Sequence, residues 1–294
     1  MSGIETYTKE EFEASYNMVF KEITKNKKPD ENPTASFIGG QPGSGKTMLA
    51  DMILKENPNT IFINSDEYRK YHPRYKEIIE KYGKESSIYT HKISSEITDT
   101  LIERLSDQKY NLIIEGTLRT SEIPLRFSKE LKEKGYKNNL SLVSVKSEKS
   151  YLGNLLRYEK MLACGLLARL TPKEYHDMII GKIADNVKEV DESKRFSNIT
   201  IYNRDEELLF DSSKGDKNPE KVIANEFLRP MNKKDIDELN AGYNELFDYM
   251  KKRNASDEEI LNAKKNKKEA LAKSKRMTFV DNKIAAKMRK EFKK

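Results

Sequence analysis

Residues 34–47 read TASFIGGQPGSGKT. A short apolar run, Ala35–Ile38, leads into Gly40-Gln41-Pro42-Gly43-Ser44-Gly45-Lys46-Thr47, and an amphipathic stretch, Thr47–Lys55, follows. The glycine-bounded segment satisfies G-x-x-x-x-G-K-[ST], and a strand before it with a helix after it is the context that pattern requires. The glycines let the backbone wrap so that successive N–H groups point at phosphate oxygens. The helix that follows adds the positive end of its dipole. Lys46 is placed to reach the β- and γ-phosphates, and the Thr47 hydroxyl to help hold Mg²⁺. The plainer alternative is a glycine-rich turn with an incidental lysine. The complete pattern in its correct flanks argues against it.

Working outward, short apolar runs alternate with long amphipathic stretches. The runs are Ala35–Ile38, Thr60–Ile63, Leu112–Ile114, Leu140–Val145 and Ile199–Tyr202. Helical spacing marks 9–25, where Thr8 and Glu11 form a capping-box pattern, and then Thr47–Lys55, Ile88–Leu105, Pro124–Lys134 and Pro172–Val190. Strands that are apolar throughout and separated by helices belong to a parallel sheet covered on both faces. The expected fold is therefore α/β: a P-loop kinase-like parallel sheet flanked by helices. Beyond about residue 216 no strand pattern remains, and Pro230 and Asn232 introduce helices rich in Lys, Glu and Ala. We divide the chain into a kinase domain at 1–228 and a basic C-terminal helical extension at 229–294.

Composition excludes several classes. With 36% hydrophobic and 35% charged residues among 294, and no apolar run near the roughly 20 residues a membrane helix needs, no membrane association is expected. The first residues carry charge from Glu5 on and lack an apolar core, so no secretory leader is expected either. The single cysteine, Cys164, rules out an internal disulfide and fits the cytoplasm. His72, His91 and His176 are too scattered to suggest a zinc site. Residues 251–294 hold 16 basic and 6 acidic side chains, which accounts for more than the whole net charge of +7. Such runs are usually solvated helix faces. Only Phe279 and Phe292 are available there for stacking, so nucleic acid is not the favoured partner.

A phosphate loop does not name a reaction, so the other strand ends must. In open α/β sheets chemistry gathers at the carboxyl ends of strands. TIFIN ends in Ser65-Asp66, and NLII ends in Glu115-Gly116-Thr117. One carboxylate can accept the proton of an acceptor hydroxyl, and the other can order magnesium through water or hold the acceptor. The plainer roles are a helix N-cap for Asp66 and a contact with the phosphate loop for Glu115. Arg157 and Arg169 lie in the segment LLRYEKMLACGLLARLTPKEYHD. Thr171-Pro172-Lys173-Glu174 has the form of a helix start, which leaves Arg169 on a short connection able to act as a lid. Arginines supplied in this way neutralise charge on a phosphoryl group in transfer.

Together, GGQPGSGKT, the strand ending in Asp66 with YRKYHP after it, RLSDQKYNLIIEGTLRT, SYLGNLLRYE and ARLTPKEYHD resemble the zeta toxins of bacterial toxin–antitoxin systems, over about residues 10–215. The resemblance implies a kinase that uses ATP to phosphorylate the 3′-hydroxyl of the amino sugar in UDP-N-acetylglucosamine, blocking peptidoglycan precursor synthesis. It also implies a small cognate antitoxin that covers the nucleotide site. By matching position it implies that Lys46 and Thr47 serve ATP and magnesium and that Asp66 is the catalytic base. Glu115 and Arg119 become substrate- and phosphate-site residues, and Arg157 and Arg169 the lid arginines. Asp99 stands where the family has a glutamate near the sugar, and Ala163-Cys164-Gly165-Leu166 replaces an acidic stretch between the lid arginines. From the residues alone two other readings stay open. One is a kinase for another hydroxyl, such as an antibiotic or a nucleic-acid 5′ end. The other is a nucleotide-gated binding protein whose basic tail engages nucleic acid.

Overall fold

A computed structural model describes residues 3–166 and 168–272. In chain order the elements are α1 (Lys9–Ile23), β1 (Thr34–Gly39), α2 (Lys46–Glu56), β2 (Ile61–Ile63), α3 (Ser65–Tyr68), α4 (Tyr75–Tyr82), α5 (Ser86–Tyr89), α6 (His91–Asp107) and β3 (Leu112–Glu115). They continue with α7 (Glu122–Glu133), β4 (Lys137–Val143), α8 (Ser147–Ala163), α9 (Lys173–Glu192), β5 (Asn198–Tyr202), β6 (Leu208–Asp211), α10 (Pro219–Leu228) and α11 (Lys233–Lys252). Residues 257–272 are also helical.

The sheet runs β2-β3-β1-β4-β5-β6. Its first five strands are parallel and β6 closes one edge antiparallel. Strand β1 is flanked by β3 on one side and β4 on the other, so the chain leaves β1 at the point where strand order reverses. There two crossovers diverge and leave a crevice. The register carries Glu115 to the same level: Ile38 pairs with Glu115, and Gly39 with Leu142.

Alternation along the strands builds both faces. Phe37, Ile114, Leu140 and Leu142 face one layer, where α6 and α9 supply Ile97, Leu101, Ile183 and Val187. Ile38, Ile113 and Val143 face the other, against Leu49 and Ala50 of α2. A third apolar cluster lies away from the sheet. Leu152 of α8 packs on Leu239, Tyr243, Leu246 and Met250 of α11, with Ala263 and Ala270 beside them. The extension is thus laid along α8. Two ion networks edge that contact: Asp235, almost fully buried, pairs with Arg229 and with Lys149 (3.2 Å), and Arg253 bridges Glu159 and Glu259. The division expected at 228/229 falls in the connection between α10 and α11. Of the basic tail, 273–294 lie outside the described residues.

Three local departures from the sequence reading have physical causes. The helix expected over Ile88–Leu105 is broken between α5 and α6, where Arg69 donates to the Ser87 carbonyl (2.6 Å) and removes it from the helical ladder. Helix α9 begins at Lys173 with Pro172 as its cap, not with Thr171 as the cap, because both backbone groups of Thr171 are taken by Asn154. Strand β6 has only Phe210 and Asp211 buried, too little apolar signal to read without a partner strand. The capping box at Thr8 and Glu11 is formed as expected.

Truncating Leu239, which is 1% exposed, leaves a cavity between α11 and α8. Leu239→Ala should lower the unfolding free energy by about 2–5 kcal/mol in urea titration. A change below about 0.5 kcal/mol, the usual size for a surface site, would mean that the extension does not pack on α8.

Candidate active site

The phosphate loop hangs between β1 and α2. Its shape depends on Gly43 (φ +76°), where a Cβ would fall 2.1 Å from the Ser150 carbonyl oxygen and 2.6 Å from the Asn154 nitrogen. Only glycine allows α8 to lie that close to the loop. Gly45 (φ +99°) then turns the chain into α2, so that Lys46 and Thr47 open the helix. Gln41 is fully buried and donates to the Val145 carbonyl (2.6 Å), fixing the loop to the end of β4. Pro42 and Ser44 are buried in the same turn.

Lys46 donates to the Gly40 carbonyl (3.1 Å) and lies 3.7 Å from a Glu115 carboxylate oxygen. Burial pulls the Lys46 pKa down, and Glu115 works against that pull. The contact between Glu115 and the phosphate loop is therefore made.

Asp66 is not the N-cap of α3; Asn64 is, accepting from the Asp66 N–H (3.0 Å). The Asp66 carboxylate is left for other work, and two arginines hold it. Arg69 donates to Oδ1 at 3.1 Å, and Arg169 approaches Oδ2 at 2.8 Å while also donating to the Asp66 carbonyl at 3.2 Å. Burial pushes the Asp66 pKa up, but the guanidinium groups of Arg169 and Arg69 outweigh it and hold the carboxyl below the ordinary aspartate value. Arg157 acts on both Asp66 and Lys46 through its charge.

Lys46, Asp66, Glu115, Arg157 and Arg169 thus form one electrostatic group at the carboxyl end of the sheet. Two other predicted residues are placed differently. Arg119 lies just beyond β3 on the exposed rim, donating to the Tyr175 hydroxyl (2.7 Å), and Asn186 holds its carbonyl (2.8 Å). Asp99 points to Arg126 of α7 (3.1 Å) from the exposed side of α6. The sequence reading missed Arg69 and Arg204. Arg69 lies three residues after Asp66 in the quoted YRKYHP, a spacing that brings side chains together on one turn. Arg204 follows β5 and donates to the Gly43 carbonyl, and no spacing in the sequence links it to the loop.

A cleft of about 500 Å³ opens beside the loop. Lys46, Thr47, Glu115, Arg157 and Arg204 supply its polar lining, and Leu156, Met161 and Leu166 an apolar wall. These residues fit a nucleoside triphosphate. The Nε atoms of Arg157 and Arg169 and the Ser44 hydroxyl are buried without a hydrogen-bond partner among the described residues, which is the state of donors shaped for an external anion. Thr47 offers an exposed hydroxyl at the mouth of α2. That fits Mg²⁺, which takes few protein oxygens and fills the rest of its shell with phosphate and water. Among the described residues no group of three or more His, Cys, Asp or Glu could hold a metal by itself.

Comparison with known proteins bears directly on this arrangement. The family model described as "Zeta toxin" matches residues 19–215, which takes in every strand of the sheet. The chain belongs to the zeta toxin family. It is 39% identical over 211 residues to Toxin PezT of Streptococcus pneumoniae, covering 71% of this chain and 83% of that protein. It is 36% identical over 239 residues to Toxin zeta of Streptococcus pyogenes, covering 80% and 83%. A solved chain from the PezAT chromosomal toxin–antitoxin system of S. pneumoniae superposes with a TM-score of 0.77 at 32% identity, covering 85% of this chain and all of that one. A complex of AvrRxo1-ORF1 with ORF2, solved with ATP, matches at TM-score 0.52 and 16% identity over 90% and 82%, a likeness of fold alone. The class is therefore that of toxins from toxin–antitoxin systems, on a kinase-like α/β fold. Among the described residues, no helix of this zeta toxin is long and apolar enough to cross a membrane.

The geometry around Asp66 generates a direct test. Asp66→Asn keeps the volume and leaves the phosphate loop intact, so ATP affinity should stay within about threefold while turnover falls at least about 10²-fold. Titration calorimetry and a coupled ADP assay read the two. Near-normal turnover in the variant would remove Asp66 from the role of base.

Proposed function

We propose that this zeta toxin is an ATP-dependent kinase that transfers the γ-phosphoryl group to the 3′-hydroxyl of the amino sugar of UDP-N-acetylglucosamine, and that the product blocks peptidoglycan precursor synthesis in the cytoplasm. One observation carries the phosphotransferase reading: an ionised carboxylate, Asp66, shares a site with Lys46 and with arginines whose Nε donors are buried and unmatched. The choice of nucleotide sugar rests on the family resemblance.

The residues divide the work. Backbone N–H groups of 43–47 and Lys46 bind the triphosphate, and Thr47 would hold Mg²⁺, which when bound would supply positive charge against the phosphates. Asp66 accepts a hydrogen bond from the acceptor hydroxyl and takes its proton as the new O–P bond forms and the bond between the γ-phosphorus and the β–γ bridging oxygen breaks. The transition state needs little covalent help, so positioning and charge neutralisation dominate. Arg157 and Arg169 supply that charge from α8 and from the connection leading to α9. Glu115 keeps Lys46 oriented, and Arg119 on the rim meets phosphate of the incoming nucleotide sugar. Asp99 would have to leave Arg126 to touch the sugar. A small cognate antitoxin covering the nucleotide cleft is the expected partner, in keeping with the PezAT system from which a similar structure comes.

³¹P NMR of a reaction with ATP, Mg²⁺ and UDP-N-acetylglucosamine tests this function. A new monoester signal on the sugar is the expected result. ADP formation without such a signal would assign the catalyst to another hydroxyl, and no acceptor-dependent ADP would leave a nucleotide-binding module.

Arg169 generates a second prediction, with a definite sign in pH. Asp66 works as the carboxylate, so the rate falls as pH drops through its pKa. Arg169 holds that pKa down, so Arg169→Ala should move the acid limb of kcat/KM to higher pH as well as lowering kcat more than it weakens ATP binding. An unshifted limb would mean that the pair does not form in solution.

A further inference from the structure

We propose that Asn154 is the positioning residue that holds both lid arginines in register with the phosphate loop. The proposal builds on the phosphotransferase reading and concerns a residue that neither binds nucleotide nor carries charge.

Asn154 lies on α8, is 0% exposed, and precedes Arg157 by one helical turn. Its amide meets three partners. Nδ2 donates to the Thr171 carbonyl (2.8 Å), and Oδ1 accepts from the Thr171 N–H (3.4 Å). The same Oδ1 accepts from an Nη of Arg157 (3.1 Å). Thr171 is two residues beyond Arg169, so its backbone fixes where the Arg169 side chain begins. The Asn154 backbone, in turn, is what a side chain on Gly43 would strike, so the residue sits directly on the phosphate loop. One buried amide therefore joins the loop, Arg157 and the backbone that carries Arg169.

The chemistry demands an amide. Thr171 presents one donor and one acceptor, and only a neutral group carrying both answers them together. A carboxylate would oppose one of its oxygens to the Thr171 carbonyl, and an apolar side chain would leave both backbone groups and one Arg157 donor unmatched in a buried place. The same pairing accounts for the late start of α9 at Lys173. A merely structural asparagine would need none of these links to the arginines.

The experiment uses the full chain with ATP-Mg²⁺ and UDP-N-acetylglucosamine, and compares Asn154→Ala with wild type in two backgrounds. Because the residue acts through the arginines, Asn154→Ala should lower kcat by about 10–10²-fold, the scale of a small misplacement, with ATP affinity within about threefold. In an Arg157→Ala/Arg169→Ala background the same change should cost no more than about twofold, since its targets are gone. Hydrogen exchange at the Thr171 amide should also accelerate at least about tenfold in Asn154→Ala. Equal losses of kcat and ATP affinity, a full effect that persists in the arginine-free background, or unchanged Thr171 exchange would each overturn the proposal. If the alanine variant does not fold, Asn154→Asp keeps the volume and the acceptor but sets an oxygen against the Thr171 carbonyl, so the two kinetic readouts apply to it: a loss of kcat with ATP affinity kept, and no more than about a twofold loss in the arginine-free background. Wild-type protein that fails to phosphorylate the sugar would count against the functional reading only, because Thr171 exchange tests the positioning role without turnover.

Discussion

The site is organised around the ion pair between Asp66 and Arg169. A carboxylate partly withdrawn from water needs positive charge beside it, and an arginine on a connecting segment needs negative charge to hold it in place. Each meets the other's need, with Arg69 as a second support that stays with the aspartate through its own helical turn. In the proposed reaction the phosphoryl group brings a competing negative charge. Arg169 then has two partners of like sign within one site, and what it gives to the phosphate it withdraws from Asp66. Loss of that guanidinium raises the basicity of the carboxylate at the moment a proton must be accepted.

The rest of the fold serves that pair by fixing distances. Strand β1 delivers the loop where strand order reverses, β3 brings Glu115 to the level of Lys46, and β2 ends just before Asp66. Helix α8 contributes most of the remaining geometry. It touches the loop at Gly43, carries Arg157, and is braced along its outer side by α11 through Leu152, Leu239 and Tyr243. The extension thus packs, in the described residues, along the helix that carries Arg157. The connection that carries Arg169 is tied by Asn154 at Thr171 and by Asp66 at Arg169 itself, which suits the proposed reaction, one that depends on placement.

Much of this was legible in the chain itself. The phosphate loop declared its fold because glycine spacing, lysine and flanking patterns all answer to one local geometry. Asp66 and Glu115 were legible because strand ends in a parallel sheet converge. Helix α1 was legible down to its capping box. What escaped depended on contacts between distant segments. Arg204 meets the loop across about 160 residues, and Asn154 meets Thr171 across 17. Strand β6 is too weakly apolar to read without its neighbour. The split between α5 and α6 comes from Arg69 capturing a carbonyl, an event no periodicity records. Asp99 could be located by matching position, but the side chain's turn toward Arg126 belongs to tertiary structure.

The proposed transfer requires Asp66 to face an acceptor hydroxyl across from the transferring phosphate. A crystal structure of the chain with ADP, Mg²⁺, a planar phosphoryl mimic such as aluminium fluoride, and UDP-N-acetylglucosamine measures that arrangement directly. The expected result is an Asp66 carboxylate oxygen about 2.6–3.2 Å from the sugar 3′-oxygen, with that oxygen in line with the mimic and Arg169 turned toward it. An Asp66 still closed on Arg69 and Arg169, with the sugar hydroxyl beyond its reach, would contradict it.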